Sequence, residues 1–289
     1  MRRNIFDIAS QNTTMASEVD RLILMATKED TICVDTYDTY EEKTLFEYFD
    51  EYCFEDWMQR GHCVDLDDFL KCIEFDNLKR SATEDVEEFL TLIEFIYNVW
   101  FLVNVDIANY KMGYKLGWEG NYYHLKKVMD DILGQYNYTA YVDKKNEKVL
   151  VIENTPGVTA VAEIVEPSLA LEVIKYNHYA LKGEIELKKS ILLKMAQQLE
   201  PQRKSLHAID SKLEDDIFFM FNNLDLRHNN RSANDKNYKE YVAKMDKEAL
   251  ENWYDELYQM VLLAFLLLDN VERTGKVKEL KGKIAGGTN

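Results

Sequence analysis

Apolar positions along this chain recur mostly every three or four residues, the spacing of one helix face, and only briefly every second residue. Leu45, Phe46, Phe49, Cys53 and Trp57 predict one amphipathic helix over residues 43–58. Leu66, Phe69, Leu70 and Ile73 predict a shorter one after Gly61. Ser81-Ala82-Thr83-Glu84 has the form of a capping box, so a helix is expected to start there and run from Val86 to about Val105. Its crowded apolar residues imply burial on most sides. Gly113, Gly117 and Gly120, with Tyr114 and Trp118 between them, predict a loop, followed by a short helix near 121–133.

The period then changes. Tyr138–Val142 and Val149–Glu153 alternate, are rich in β-branched and aromatic residues, and flank Asp143-Lys144-Lys145-Asn146, which predicts a hairpin. Val158–Val165 is expected to add a third strand. Pro167 suits a first helical position, and Leu169, Val173, Ile174 and Tyr176 continue a helix from it. Leu187, Ile191, Leu192, Met195 and Leu199 mark the next helix, and Glu200-Pro201 kinks it or starts a new one. Ile217, Met220, Phe221 and Leu224 form another stripe, and 231–240 is a charged loop. The last helix carries Leu250, Trp253, Tyr254, Leu257, Val261, Ala264, Leu268 and Val271. The pattern predicts a mainly α protein in three regions. These are an acidic helical region (1–110), a loop, short helix and small β element (111–165), and a C-terminal helical bundle (166–289).

Composition supports this reading, since 3 prolines and 11 glycines are few for 289 residues and favour long helices. With 46% hydrophobic residues the chain can bury a real core. The net charge of −17 is concentrated: residues 35–94 hold 19 acidic and 5 basic side chains, a local balance of −14. That argues against tight, nonspecific duplex binding and suits a basic protein partner. Cys33, Cys53, Cys63 and Cys72 fit no common zinc spacing and are expected as reduced thiols. Aspartates 65, 67 and 68 with Glu74 lack the glycine of a calcium loop. No apolar leader follows Met1–Ile8, and the longest apolar run, Val261–Leu268, is short for a span, so a cytoplasmic protein off the membrane is expected. Nucleophile-elbow, Walker, Rossmann and H-E-x-x-H patterns do not occur, and His124 and His178 have no triad neighbours in sequence. No metal or cofactor is expected.

The densest polar stretch is Asn222-Asn223-Leu224-Asp225-Leu226-Arg227-His228-Asn229-Asn230. Continued as a helix, it places Asn223 and Arg227 on one face and His228 in line with Leu224. In one reading Asn229 or Asn230 caps the helix, His228 sits at the core edge, and Arg227 pairs with Asp225 or a carboxylate from a packed helix. In the other, Arg227 grips phosphate oxygens and His228 moves a proton. Asn222, Asn223, Asn229 and Asn230 then orient the substrate.

Arg227-His228, set among helices, resembles the signature of the HEPN superfamily, with the likeness running from about Glu166 to Glu272. These are small helical domains of bacterial and phage-defence proteins, many of them ribonucleases that dimerise around a composite site. The signature is an arginine, then Asn, Asp or His, and a histidine four to six residues further on. At that last place this chain has Ser232, Ala233 and Asn234, while Arg203 and His207 are one residue too close. The resemblance implies a bacterial or phage-borne defence or stress protein that acts on RNA, as a metal-independent endoribonuclease or as an RNA binder. It further implies a homodimer. Leu262, Leu263, Phe265 and Leu267 broaden the last helix's apolar face, so that helix is expected either at the centre of its bundle or against a second copy. The alternative is a non-catalytic interaction protein whose acidic first region docks a basic partner.

Overall fold

A computed structural model describes residues 14–29, 31–35, 40–109, 115–119, 122–155 and 157–286. The chain is mainly α-helical, and its contacts divide it into two compact units, Met1–Asn154 and Thr155–Asn289. The stretch 111–165, expected as a region of its own, is thus shared between them.

In the first unit, α1 (Met15–Leu24) opens on a reciprocal cap between Thr14 and Ser17. The acidic region was expected to be wholly helical, yet Thr31–Asp35 (β1) and Tyr40–Thr44 (β2) pair antiparallel. Lys115–Glu119 (β3), expected as loop, pairs with the other edge of β1, giving the order β2-β1-β3. Gly113, Tyr114 and Gly120 lie outside the described residues. Ile32, Cys33 and Val34 are all buried in β1, a run too short to show a period in sequence.

The single helix expected over 43–58 is also corrected. It starts only at Leu45–Tyr48 (α2), capped by Thr44 and Glu47, widens over Phe49–Cys53, and then turns. The turn folds Phe54 and Trp57 back to 6.0 and 5.4 Å from the Phe49 ring. Clustering of large aromatic rings here outweighs the local helical period.

Leu66–Cys72 (α3) and Phe75–Ser81 (α4) lead to Val86–Asn109 (α5), the core helix of the unit. By length and mean hydropathy (1.5) α5 is apolar enough for a membrane span. Its Phe89, Leu90, Leu92, Ile93, Ile96 and Val99 are buried within the unit. Two polar residues on it have a defined task. The Asn98 amide donates to Val149 O and accepts from Val149 N, and Glu94 accepts from Val151 N. They satisfy the edge of the hairpin formed by Tyr138–Asp143 (β4) and Lys148–Glu153 (β5), which follows Tyr122–Gln135 (α6). The four cysteines are free thiols, and burial together with a hydrogen bond with Cys72 raises the Cys63 thiol.

The regular elements among the described residues of the second unit are all helices. Val158–Ile164, expected as a strand, is helix α7. Val158 and Val161 are both buried at helical spacing, so three-residue periodicity decides over β-branching. Pro167–Tyr176 (α8) begins at its proline as expected. Ile185–Leu199 (α9), Arg203–Ile209 (α10), Ser211–Asn223 (α11) and Glu240–Ala243 (α12) precede Lys247–Gly286 (α13). α7, α9, α10 and α11 surround the first half of α13, burying Leu250, Tyr254, Leu257, Tyr258, Val261, Leu262 and Phe265. Of the residues expected to widen its apolar face, Leu262 and Phe265 are buried in the bundle, Leu267 is half-buried and Leu263 is exposed.

α8, α9 and α13 share a buried polar knot. Lys188, 6% exposed, lies 2.7 Å from both Glu251 and Asp255. Its ammonium sits 5.2 Å from the centre of the Tyr176 ring, which stacks on Tyr258 at 4.0 Å. The Tyr176 hydroxyl donates to Asp255, and Tyr258 donates to Val173 O while accepting from Asn177.

Candidate functional site

α10 and α11 are joined by one residue, Asp210, whose carboxylate caps α11 by accepting from Leu213 N. That tight corner brings the first turn of α11 against α10. Arg203 and His207, four residues apart, share one face of α10, and Glu214 of α11 meets both. Arg203 Nε bonds Glu214 Oε1, and His207 Nδ1 lies 2.9 Å from Glu214 Oε2. Glu214 is 2% exposed, whereas the Arg203 and His207 side chains are 45% and 58% exposed. Burial pushes the Glu214 carboxyl up, but the hydrogen bonds from His207 and Arg203 outweigh it and hold the group below its ordinary value. Glu214 is therefore a carboxylate at neutral pH. A carboxylate only accepts hydrogen bonds, so His207 carries a proton on Nδ1 and turns Nε2 outward.

Arg227 joins this cluster through a ring rather than a shared carboxylate. The Arg203 guanidinium lies 4.2 Å from the centre of Phe218, and that of Arg227 lies 5.3 Å from Phe218 and Phe221 alike. Arg227 pairs with Glu200, in the turn before α10. That fits the expectation of a carboxylate from a packed element. Phe219, the next residue along α11, is 65% exposed and lies on a different face of the helix from the buried Phe218.

The other residues of the polar stretch have different places. α11 ends at Asn223, and Asp225 adopts the left-handed backbone conformation at φ 58°. The helical face expected to join Asn223 and Arg227 therefore does not exist. Asn223 Nδ2 donates back to Phe219 O, Asn222 is half-buried, and Asn229 accepts from Ser232 N. Asn230 is fully buried. Its side chain accepts from Asp225 N and donates to Asn237 O, while its own N–H donates to the Asp225 carboxylate. These bonds make Asn230 a staple of the loop after α11, with no edge left for a substrate. His228 is exposed and makes no side-chain hydrogen bond or ion pair among the described residues.

Ligand atoms of His207, Glu214 and Asp215 lie within 4.8 Å of one another, the one grouping of metal-ligand type among the described residues. An ion there competes with the His207 proton for Glu214 Oε2, while Oε1 is bonded to Arg203. One cleft of the first unit, lined by Tyr52, Trp57, Met58, Asp106, Asn109 and Glu147, has no lysine, arginine or histidine among the described residues. It offers no cation to a phosphate. The sequence signal for the observed cluster was the four-residue step from Arg203 to His207. Its partner Glu214 follows only when α11 turns back on α10.

Fold and site together define a mainly α protein of two units, the second carrying an oriented arginine–histidine cluster. No family model, curated protein or solved structure matches the chain.

Proposed function

We propose that the second unit acts on RNA, holding a phosphate through Arg203 and Arg227 and cleaving the chain by proton transfer at His207 without a metal ion. The observation that carries this is one buried carboxylate, Glu214, fixing an arginine and a histidine whose outer edges remain open to solvent. Guanidinium groups match phosphate oxygens in pairs, and an imidazole with a set tautomer serves as a base near neutral pH. The RNA 2′-hydroxyl gives its proton to His207 Nε2, O2′ bonds to phosphorus, and the bond to the 5′-oxygen breaks. The departing oxygen takes a proton from water, leaving a 2′,3′-cyclic phosphate and a 5′-hydroxyl. Phe219 offers a stacking surface for an unpaired base. This keeps the expected role of a HEPN-like defence or stress protein and transfers the proton-moving part from His228 to His207.

The test is cleavage of tRNA and total RNA by the purified full chain in EDTA, together with growth on overexpression. Arg203→Ala and His207→Ala are expected to lower cleavage by about 10²-fold or more, and His228→Ala to leave it unchanged. Phe219→Ala is expected to weaken RNA binding by about 1–3 kcal/mol. Intact RNA and harmless overexpression with the wild type defeat the catalytic reading. Cleavage that appears only with added divalent ions makes His207, Glu214 and Asp215 a metal centre instead.

A second reading is favoured by the exposure of Glu51, Glu55, Asp56, Asp65, Glu84 and Glu88 in the first unit. They form part of the −14 stretch and supply a field for a basic protein partner. Binding of such a partner is expected to fall steeply between low and high salt in a pull-down. Retention indifferent to salt removes the electrostatic dock.

A further inference from the structure

Beyond Asp269, α13 leaves its bundle. Residues 270–285 are all exposed, a helical projection of about 24 Å at ~1.5 Å per residue. Such a segment, with Gly275 and Gly282 in it, gains little helical stability by itself in water. Leu263, Leu266, Val277, Leu280 and Ile284, with the polar Asn270 and Arg273 between them, are separated alternately by three and four residues, the a and d positions of three heptads, while the exposed Val271 lies off this seam. Leu263, Val277, Leu280 and Ile284 are 47%, 47%, 55% and 67% exposed. Both glycines fall on the outer side of the helix, opposite this seam. Asn270 stands at an a position, where a buried amide fixes register at a cost in stability.

We infer that this projection is one strand of a coiled coil whose other strand is a partner helix with acidic flanks. The flanking positions decide the partner. Thr274, Lys276, Lys281 and Lys283 occupy the e and g positions beside the exposed seam. In a parallel pair of identical helices Lys276 faces Lys281 of the other copy, and in an antiparallel pair lysines again face lysines. Like charges there repel. A helix with glutamates at e and g meets them with opposite charge, and from Arg273 to Lys283 the segment offers five basic residues against one acidic residue. The apolar strip is narrow and holds no aromatic residue, unlike the broad face of a helix that lies in a membrane surface.

The experiment uses the full chain and a labelled synthetic peptide with Leu at d, Ile at a, one Asn matched to Asn270, and Glu at every e and g. Fluorescence anisotropy is expected to show binding about tenfold or more tighter than for the same seam with Lys flanks, and than for the acidic peptide in scrambled order. Val277→Asp with Leu280→Asp is expected to abolish binding while the thermal melt stays put, because both side chains are exposed. Reversing Lys276, Lys281 and Lys283 to Glu is expected to switch preference to the Lys-flanked peptide. Equal binding of the scrambled peptide reduces the segment to a charge and overturns the inference. Self-association in light scattering that the double Asp variant abolishes makes a second copy the occupant and overturns it too. So does capture by anionic phospholipid vesicles without binding of the heptad peptide.

Discussion

Lys188→Ala is expected to destabilise the second unit by about 3–5 kcal/mol, the usual cost of breaking a buried ion pair by removing one partner. The ammonium serves Glu251 and Asp255 together, and Glu251 is the critical one. Its side chain is 13% exposed, against 46% for Asp255, so water cannot fully replace the lost cation. Burial pushes the Glu251 carboxyl up, but Lys188 and the Gly183 N–H outweigh it and hold the group below its ordinary value. The variant also removes the cation above Tyr176 and uncovers the Tyr176–Tyr258 stack that ties α8 to α13. Urea unfolding followed by far-UV circular dichroism measures the loss. Adding Glu251→Gln is expected to recover part of it, because the uncompensated charge is then gone. A loss under about 1 kcal/mol in the single variant, the scale of an exposed ion pair, contradicts this account.

Glu214→Gln is expected to reduce RNA cleavage by about 10²-fold or more while changing the stability at neutral pH much less. The carboxylate accepts from His207 Nδ1, which leaves Nε2 free to take a proton. A glutamine can turn its NH₂ to His207 Nδ1 instead, placing the imidazole proton on Nε2, where the base is needed. In the proposed reaction Glu214 acts through His207, as a positioning residue. Acid titration separates this role from a structural one. Because the folded-state carboxyl is held below its ordinary value of 4.5, its stabilisation is fully present above that pH. It is lost as pH falls through the lowered folded value. The wild type should therefore lose stability below about pH 4.5 through both Glu214 and Glu251, and Glu214→Gln should show a shallower loss. An acid limb identical in variant and wild type shows that the ion pairs of Glu214 contribute nothing to folding. Undiminished cleavage removes the positioning role.

The long helices α8, α9, α11 and α13 of the second unit were legible because their apolar stripes run over several turns, long enough for the 3.6-residue period to average out exceptions, whereas the short α7 was expected as a strand. Pro167 at the start of α8 and the β4–β5 hairpin were legible because a fixed φ and two β-branched and aromatic runs flanking a polar turn are local properties. β1, β2 and β3 were not. Each is five residues long, and β1 is defined by what pairs on both of its edges, one partner more than eighty residues away. The break in the expected 43–58 helix came from rings that meet only after the chain turns.

The same division holds at the site. Local sequence density drew attention to 222–230, and Arg227 does reach the cationic cluster. Asn230, in contrast, spends its polar atoms holding its own loop, because a chain leaving a helix must satisfy its freed backbone groups. Arg203 and His207 were visible as a four-residue step, an ordinary spacing with no chemistry of its own. The sequence by itself determined the helical class and the charge concentrated in the first unit, since each depends only on residue order. Only the tertiary structure decided which arginine and which histidine share a buried carboxylate. That choice depends on α11 folding back onto α10, and a hydrogen bond between side chains on two helices leaves no period in either.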